Sequence, residues 1–154
     1  MRLMKLAPAI LFLVSLFAIT ATAQLRTRTT SKSVPPPVSD EVKASGAYAE
    51  IVLRKTELKS ELEEYLVSYT DEFPKVKHTR YEIGLLEAEL IRFGKLKSSD
   101  TAKLTLALGK LIVRRATLAT DYWILSNKYN SAHPDAKKAK RKLEIYDRAV
   151  EDIL

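Results

Sequence analysis

From Ser39 onward the apolar residues recur at alternating steps of three and four, and no run alternates with period two, which predicts amphipathic helices rather than strands. The second half shows the spacing best. Leu104, Leu108, Leu111, Arg115, Leu118, Tyr122, Leu125 and Tyr129 form a seam of heptad type. Sixty positions earlier most of that seam reappears as Ile51, Lys55, Leu58, Leu62, Tyr65 and Tyr69, and the basic interruption matches too, Lys55 with Arg115. Farther along, Val76, Ile83, Leu86, Leu90 and Phe93 fall on Ala136, Leu143, Tyr146, Val150 and Ile153. Identities are few, among them Arg54 with Arg114, Leu58 with Leu118, Tyr69 with Tyr129, Pro74 with Pro134, and Lys77 with Lys137. The repeat rests on pattern and punctuation, and two helices on each side keep one register.

The punctuation is a tyrosine, four residues and a proline: YTDEFP from Tyr69 to Pro74, and YNSAHP from Tyr129 to Pro134. Proline lacks an amide hydrogen and holds φ fixed, so it suits a first helical turn, while its ring pushes the preceding residue out of the helical region. Phe73 and His133 are therefore expected to be non-helical, and each gap suits a tight turn between antiparallel helices. A kinked but continuous helix is the alternative. The predicted helices run over about 40–70, 74–96, 99–130 and 134–153, with Ser98 or Ser99 capping the third and Gly46 fraying or bending the start of the first. The fold class is thus all-α: two tandem antiparallel helical hairpins, residues 39–97 and 98–154, as a four-helix bundle or coiled-coil-like pair.

A second apolar stripe, Val52, Leu53, Val67, Leu106, Ile112, Val113, Trp123 and Ile124, lies off the seam. The hairpins must either wrap together over it or offer it to another chain.

The N-terminus adds a compartment. Residues 1–23 read as a secretory signal peptide, with basic Arg2 and Lys5, an apolar run from Leu6 to Ile19, and the small residues Ala21 and Ala23 before Gln24. An uncleaved anchor is the rival reading, but Pro8 and Ser15 interrupt a run shorter than the roughly 20 residues a spanning helix needs. Residues 24–38, rich in Ser, Thr and Pro with Arg26, Arg28 and Lys32, read as a disordered linker. The expected location is exported, periplasmic or secreted. There is no cysteine, which excludes a lipoprotein acylation site, a disulfide framework and thiolate metal sites.

The formal net charge is +7, and the loss of Arg2 and Lys5 with a signal would leave the chain basic. Charge is unevenly placed. Glu61, Glu63, Glu64, Asp71 and Glu72 surround the first turn, whereas Lys137, Lys138, Lys140, Arg141 and Lys142 follow the second. Cations at a helix N-terminus oppose its macrodipole, so an anion should compensate them. The acidic turn could supply it, within the molecule or between molecules; otherwise the cluster is a site for an acidic glycan or lipid headgroup. Nucleic acid is disfavoured by export.

No nucleophile elbow, glycine-rich phosphate loop or zinc-protease helix motif is present, and four scattered glycines cannot build the first two. His78 reads as a surface helix residue and His133 as a turn residue, neither framed by carboxylates at metal-ligand spacing. The expectation is a protein without catalytic, cofactor or metal site, acting as a structural or protein-interaction module through a protein partner or itself.

The two turns with their preceding seams resemble the periplasmic coiled-coil region of polysaccharide chain-length determinant proteins, the co-polymerases of polysaccharide export. Positions matching that pattern are Tyr69, Phe73, Pro74 and Val76, then Tyr129, His133, Pro134 and Ala136; Phe73 stands where the family carries histidine. The resemblance covers the greater part of each copy and lacks that family's second membrane helix and membrane-proximal domain. It implies a helical-hairpin module suited to oligomeric packing outside the cytoplasm, in the envelope or linked to polysaccharide export.

Overall fold

The structure is a computed structural model and describes residues 38–154. Residues 1–23, read as a signal peptide, and 24–37 of the expected linker lie outside the described residues. Among the described residues the chain is all-helical, with five α helices and no strand. They are α1 (Asp40–Lys43), α2 (Gly46–Ser68), α3 (Pro74–Phe93), α4 (Leu106–Lys128) and α5 (Pro134–Glu151), with a 3-10 helix at Ser98–Lys103 before α4. None of these helices is long and apolar enough to cross a membrane.

Capping chemistry sets the boundaries. Ser45 Oγ accepts from the Tyr48 amide and donates to the Val42 carbonyl at 2.6 Å, so the first predicted helix is two helices joined through Ala44 and Ser45. The predicted third helix starts later than 99. Thr105, not Ser98 or Ser99, caps α4, its hydroxyl accepting from the Leu108 amide at 3.3 Å. The cause is tertiary: Leu104 is buried and its carbonyl accepts from the Ala47 amide, which turns the chain just before Thr105. Helix α3 stops at Phe93 rather than 96 and α5 at Glu151 rather than 153. Pro74 and Pro134 open α3 and α5 as their fixed φ predicts.

The sixty-residue register governs the boundaries themselves, since α2 and α4 begin and end sixty positions apart and α3 and α5 begin so. It also reaches farther back than the seam. Ser39, Asp40, Lys43 and Ser45 correspond to Ser99, Asp100, Lys103 and Thr105, and the Lys43–Asp40 and Lys103–Asp100 ion pairs, at 3.2 and 3.6 Å, recur in the same places.

Helix α2 packs on α3, α4 on α5, and α4 also lies against both α2 and α3. One buried cluster unites them: Ile51 and Leu58 of α2, Ile83, Leu86, Leu90 and Phe93 of α3, Leu108, Ile112 and Ala116 of α4, and Val150 of α5. Val42 of α1 and Leu104, just after the 3-10 helix, close it, and Val38 packs on its margin. Each large side chain so buried contributes about 1.5–3 kcal/mol. No residue of either Tyr-x4-Pro turn belongs to this cluster. The second apolar stripe divides: Ile112 is fully buried and Val52 and Val113 pack on the core, whereas Leu53, Leu106 and Val67 stay 57%, 50% and 86% exposed.

Candidate functional site: an open groove in the second repeat

The two turns are built alike. Tyr69 and Tyr129 leave the helix with φ, ψ of −131, 155 and −130, 155, and Phe73 and His133 precede the prolines at −60, 131 and −61, 135. Each tyrosine ring stacks on the residue before proline with centroids 3.9 Å apart, Tyr69 on Phe73 and Tyr129 on His133. Phenyl and imidazole thus fill the same flat position, which explains the exchange of histidine for Phe73. His133 is more than a turn residue, because its Nδ1 accepts from the Asp135 amide and caps α5. Asp135 in that first turn supplies one compensating carboxylate for the basic residues that follow.

Ion pairs repeat as well. Lys55 meets Glu87 at 3.9 Å, and sixty residues on Arg115 meets Asp147 at 3.8 Å. Arg115 also reaches Glu89 of α3, so this seam cation ties the second repeat to the first.

The repeats part company at Arg54 and Arg114. Arg54 Nε donates to Glu82, whose side chain is 8% exposed, and Thr117 Oγ1 of α4 donates to the same Oε1 at 3.1 Å. Burial alone would lower the Arg54 pKa; the charge of Glu82 and the hydrogen bonds Arg54 donates to Glu57 and Glu82 outweigh it and raise the value. Helix α4 completes this closure with Trp123, stacked on Tyr81 at 4.6 Å and edge-on to His78 at 5.9 Å. His78 is therefore a half-buried packing residue rather than a free surface one.

In the second repeat the counterpart of Glu82 is Lys142, and no helix lies over it among the described residues. What remains is a groove of about 440 Å³ between α4 and α5. Its cations are Arg114, Lys138 and Lys142, its carboxylates Asp121 and Asp135, and its apolar floor Leu118, Ile124, Leu125 and Ala139.

Of the five basic residues singled out from sequence, Lys138 and Lys142 line this groove and Lys140 pairs with Glu144 at 3.8 Å. Lys137 and Arg141 are exposed on the same helix and do not line it. The acidic turn serves its own repeat: Asp71 binds Arg80, Glu72 binds Lys77, and Glu61 lies 3.9 Å from Arg54. Among the described residues no ion pair joins the two clusters, and Glu63, Glu64, Lys137, Lys138, Arg141 and Lys142 are in none. Sequence reasoning missed Arg114 and the groove floor; the signal was present as the sign change from Glu82 to Lys142 opposite a repeated arginine.

No group of three or more His, Asp or Glu side chains among the described residues could hold a metal ion. Comparison of the chain with protein-family models, with curated proteins and with solved structures gives no match.

Proposed function

We propose that this chain is an exported, non-enzymatic protein-interaction module made of two tandem helical hairpins, and that the α4–α5 groove is its docking site. The observation that carries the reading is that the groove of the first repeat is covered by α4 while the matching groove of the second lies open. The cover in the first repeat is a helix, and the floor of the open groove is apolar between charged walls, which suits a helix laid in a groove. Export rests on the signal-like residues 1–23, and the resemblance of the turns to the periplasmic co-polymerase region supports a place in the envelope.

A photoreactive amino acid in place of Ile124, in the full chain and in the cells that make it, tests the reading. A covalent adduct to protein is expected, absent when the probe replaces exposed Glu151. Failure to capture protein, with salt-sensitive retention on an acidic polysaccharide, would overturn it in favour of glycan binding by the basic groove.

A further inference from the structure

The join between the repeats contains the plan of a join between molecules. Helix α4 meets α3 through Thr117 on Glu82 and through Trp123 on Tyr81 and His78. Shifted by sixty, Thr117 and Trp123 of α4 become Glu57 and Glu63 of α2, while Glu82, His78 and Tyr81 become Lys142, Lys138 and Arg141 of α5. If α2 of a second copy lay across α4 and α5 as α4 lies across α2 and α3, Glu57 would face Lys142 and Glu63 would face Lys138 and Arg141. A hydrogen bond and two ring contacts inside the molecule thus correspond to three opposite-charge pairs between molecules. All five side chains are exposed.

The apolar and steric details agree. Leu53, 57% exposed, is the counterpart of Val113, which packs against the core in the internal join. Gly46 makes room for Leu106 there, a β-carbon on it standing 2.9 Å from the Leu106 nitrogen. Between copies the same two residue types exchange sides, so the small residue again faces the large one. Not every counterpart is equivalent: Ala49 stands for Gly109 and Thr56 for buried Ala116, each adding bulk, and the Arg115–Glu89 ion pair becomes Lys55 and Ala149, so the intermolecular crossing is the wider of the two.

We infer that copies of this chain associate head to tail, the outer face of α2 of one lying in the α4–α5 groove of the next. The inference rests on the reading of that groove as a docking site and names its occupant. The interface is heterologous, so it builds a ring where the rotation closes and an open chain where it does not. Opposed surface charges hold it, which makes it sensitive to salt.

Sedimentation velocity of the purified full chain tests it. Species larger than a dimer are expected at low ionic strength, shifting to monomer in about 1 M salt, where the Debye length is about 3 Å. Glu63→Lys, and separately the pair Lys138→Glu with Arg141→Glu, should each weaken association at least tenfold while leaving the helical circular-dichroism signal of the folded chain unchanged. A mixture of the two variants should recover association into alternating oligomers, because one variant keeps its groove, the other keeps its α2 face, and the two reversed faces again carry opposite charges.

A monomer at every concentration, or oligomers indifferent to both variants, would overturn head-to-tail association. The Ile124 probe separates the two failures. A monomer whose probe captures a different protein leaves the docking reading standing and removes self-association; a monomer that captures nothing removes both.

Discussion

Gly109 of α4 rests so closely on Ala47 of α2 that a β-carbon placed on it would stand 2.8 Å from the Ala47 Cα and from the Glu50 Cβ. The two repeats meet here backbone to backbone. A methyl group must push the starts of the two helices apart beside buried Ala47 and Leu108, an overpacking that costs about 1–3 kcal/mol. It outweighs the gain of up to about 1 kcal/mol from replacing glycine inside a helix. Gly84 is the control: it lies within α3 with nothing inside 4 Å of its β-carbon position. Gly109→Ala should lower the melting temperature by a few degrees and Gly84→Ala should raise it. A rise in both would show that α2 and α4 do not touch at Ala47.

Arg54 and Glu82 form the second test. Glu82 is almost wholly buried, so removal of Arg54 leaves a carboxylate held by Thr117 alone. Arg54→Ala should cost about 2 kcal/mol, below the full figure for a buried pair because Arg54 keeps partial access to water. Adding Glu82→Gln should recover more than half of that loss, and simple additivity of the two substitutions would contradict the account. The pH dependence has a definite sign. The folded pKa of Arg54 is raised, so its contribution is complete below the unfolded value and fades only in strong alkali. In chemical denaturation the wild-type protein should show no decline of this contribution between about pH 6 and about pH 9.

The helices and turns were legible in the sequence because their signals are local: seam spacing, and prolines at 74 and 134 that open α3 and α5. The α4 boundary was not. Ser99 and Asp100 make as good a local cap as Thr105, and the choice falls to buried Leu104 and its carbonyl bond to Ala47, more than fifty residues away. The groove escaped for a related reason. Matching the repeats by identity singles out Arg54 and Arg114 as equal, whereas the structure separates them by what lies opposite, Glu82 beneath α4 in one case and uncovered Lys142 in the other.

Ring exchange at the turns gives a third prediction. Phe73 and His133 stack under their tyrosines at the same distance, at interplanar angles of 7° and 12°. Phe73→His should therefore be tolerated, whereas Phe73→Ala should lose about 0.5–1.5 kcal/mol of stacking. Thermal unfolding followed by circular dichroism orders the three proteins. Equal losses for His and Ala would mean that the stack contributes nothing to the turn.

The paired seam cations test the hairpin arrangement. Lys55 lies 3.9 Å from Glu87, and Arg115 lies 3.8 Å from Asp147, each pair linking the helix before a Tyr-x4-Pro turn to the helix after it. The chain has no cysteine, so introduced thiols are the only ones. Cysteines at 55 and 87, and in a second variant at 115 and 147, should join within one molecule through a short bis-maleimide. A third variant, with cysteines at 55 and 147, is the control and should join poorly. Intact mass distinguishes the bridged monomer from singly modified chains. Should the turns merely kink continuous helices, residues thirty-two positions apart would lie on the order of 48 Å from each other, and neither of the first two variants would close.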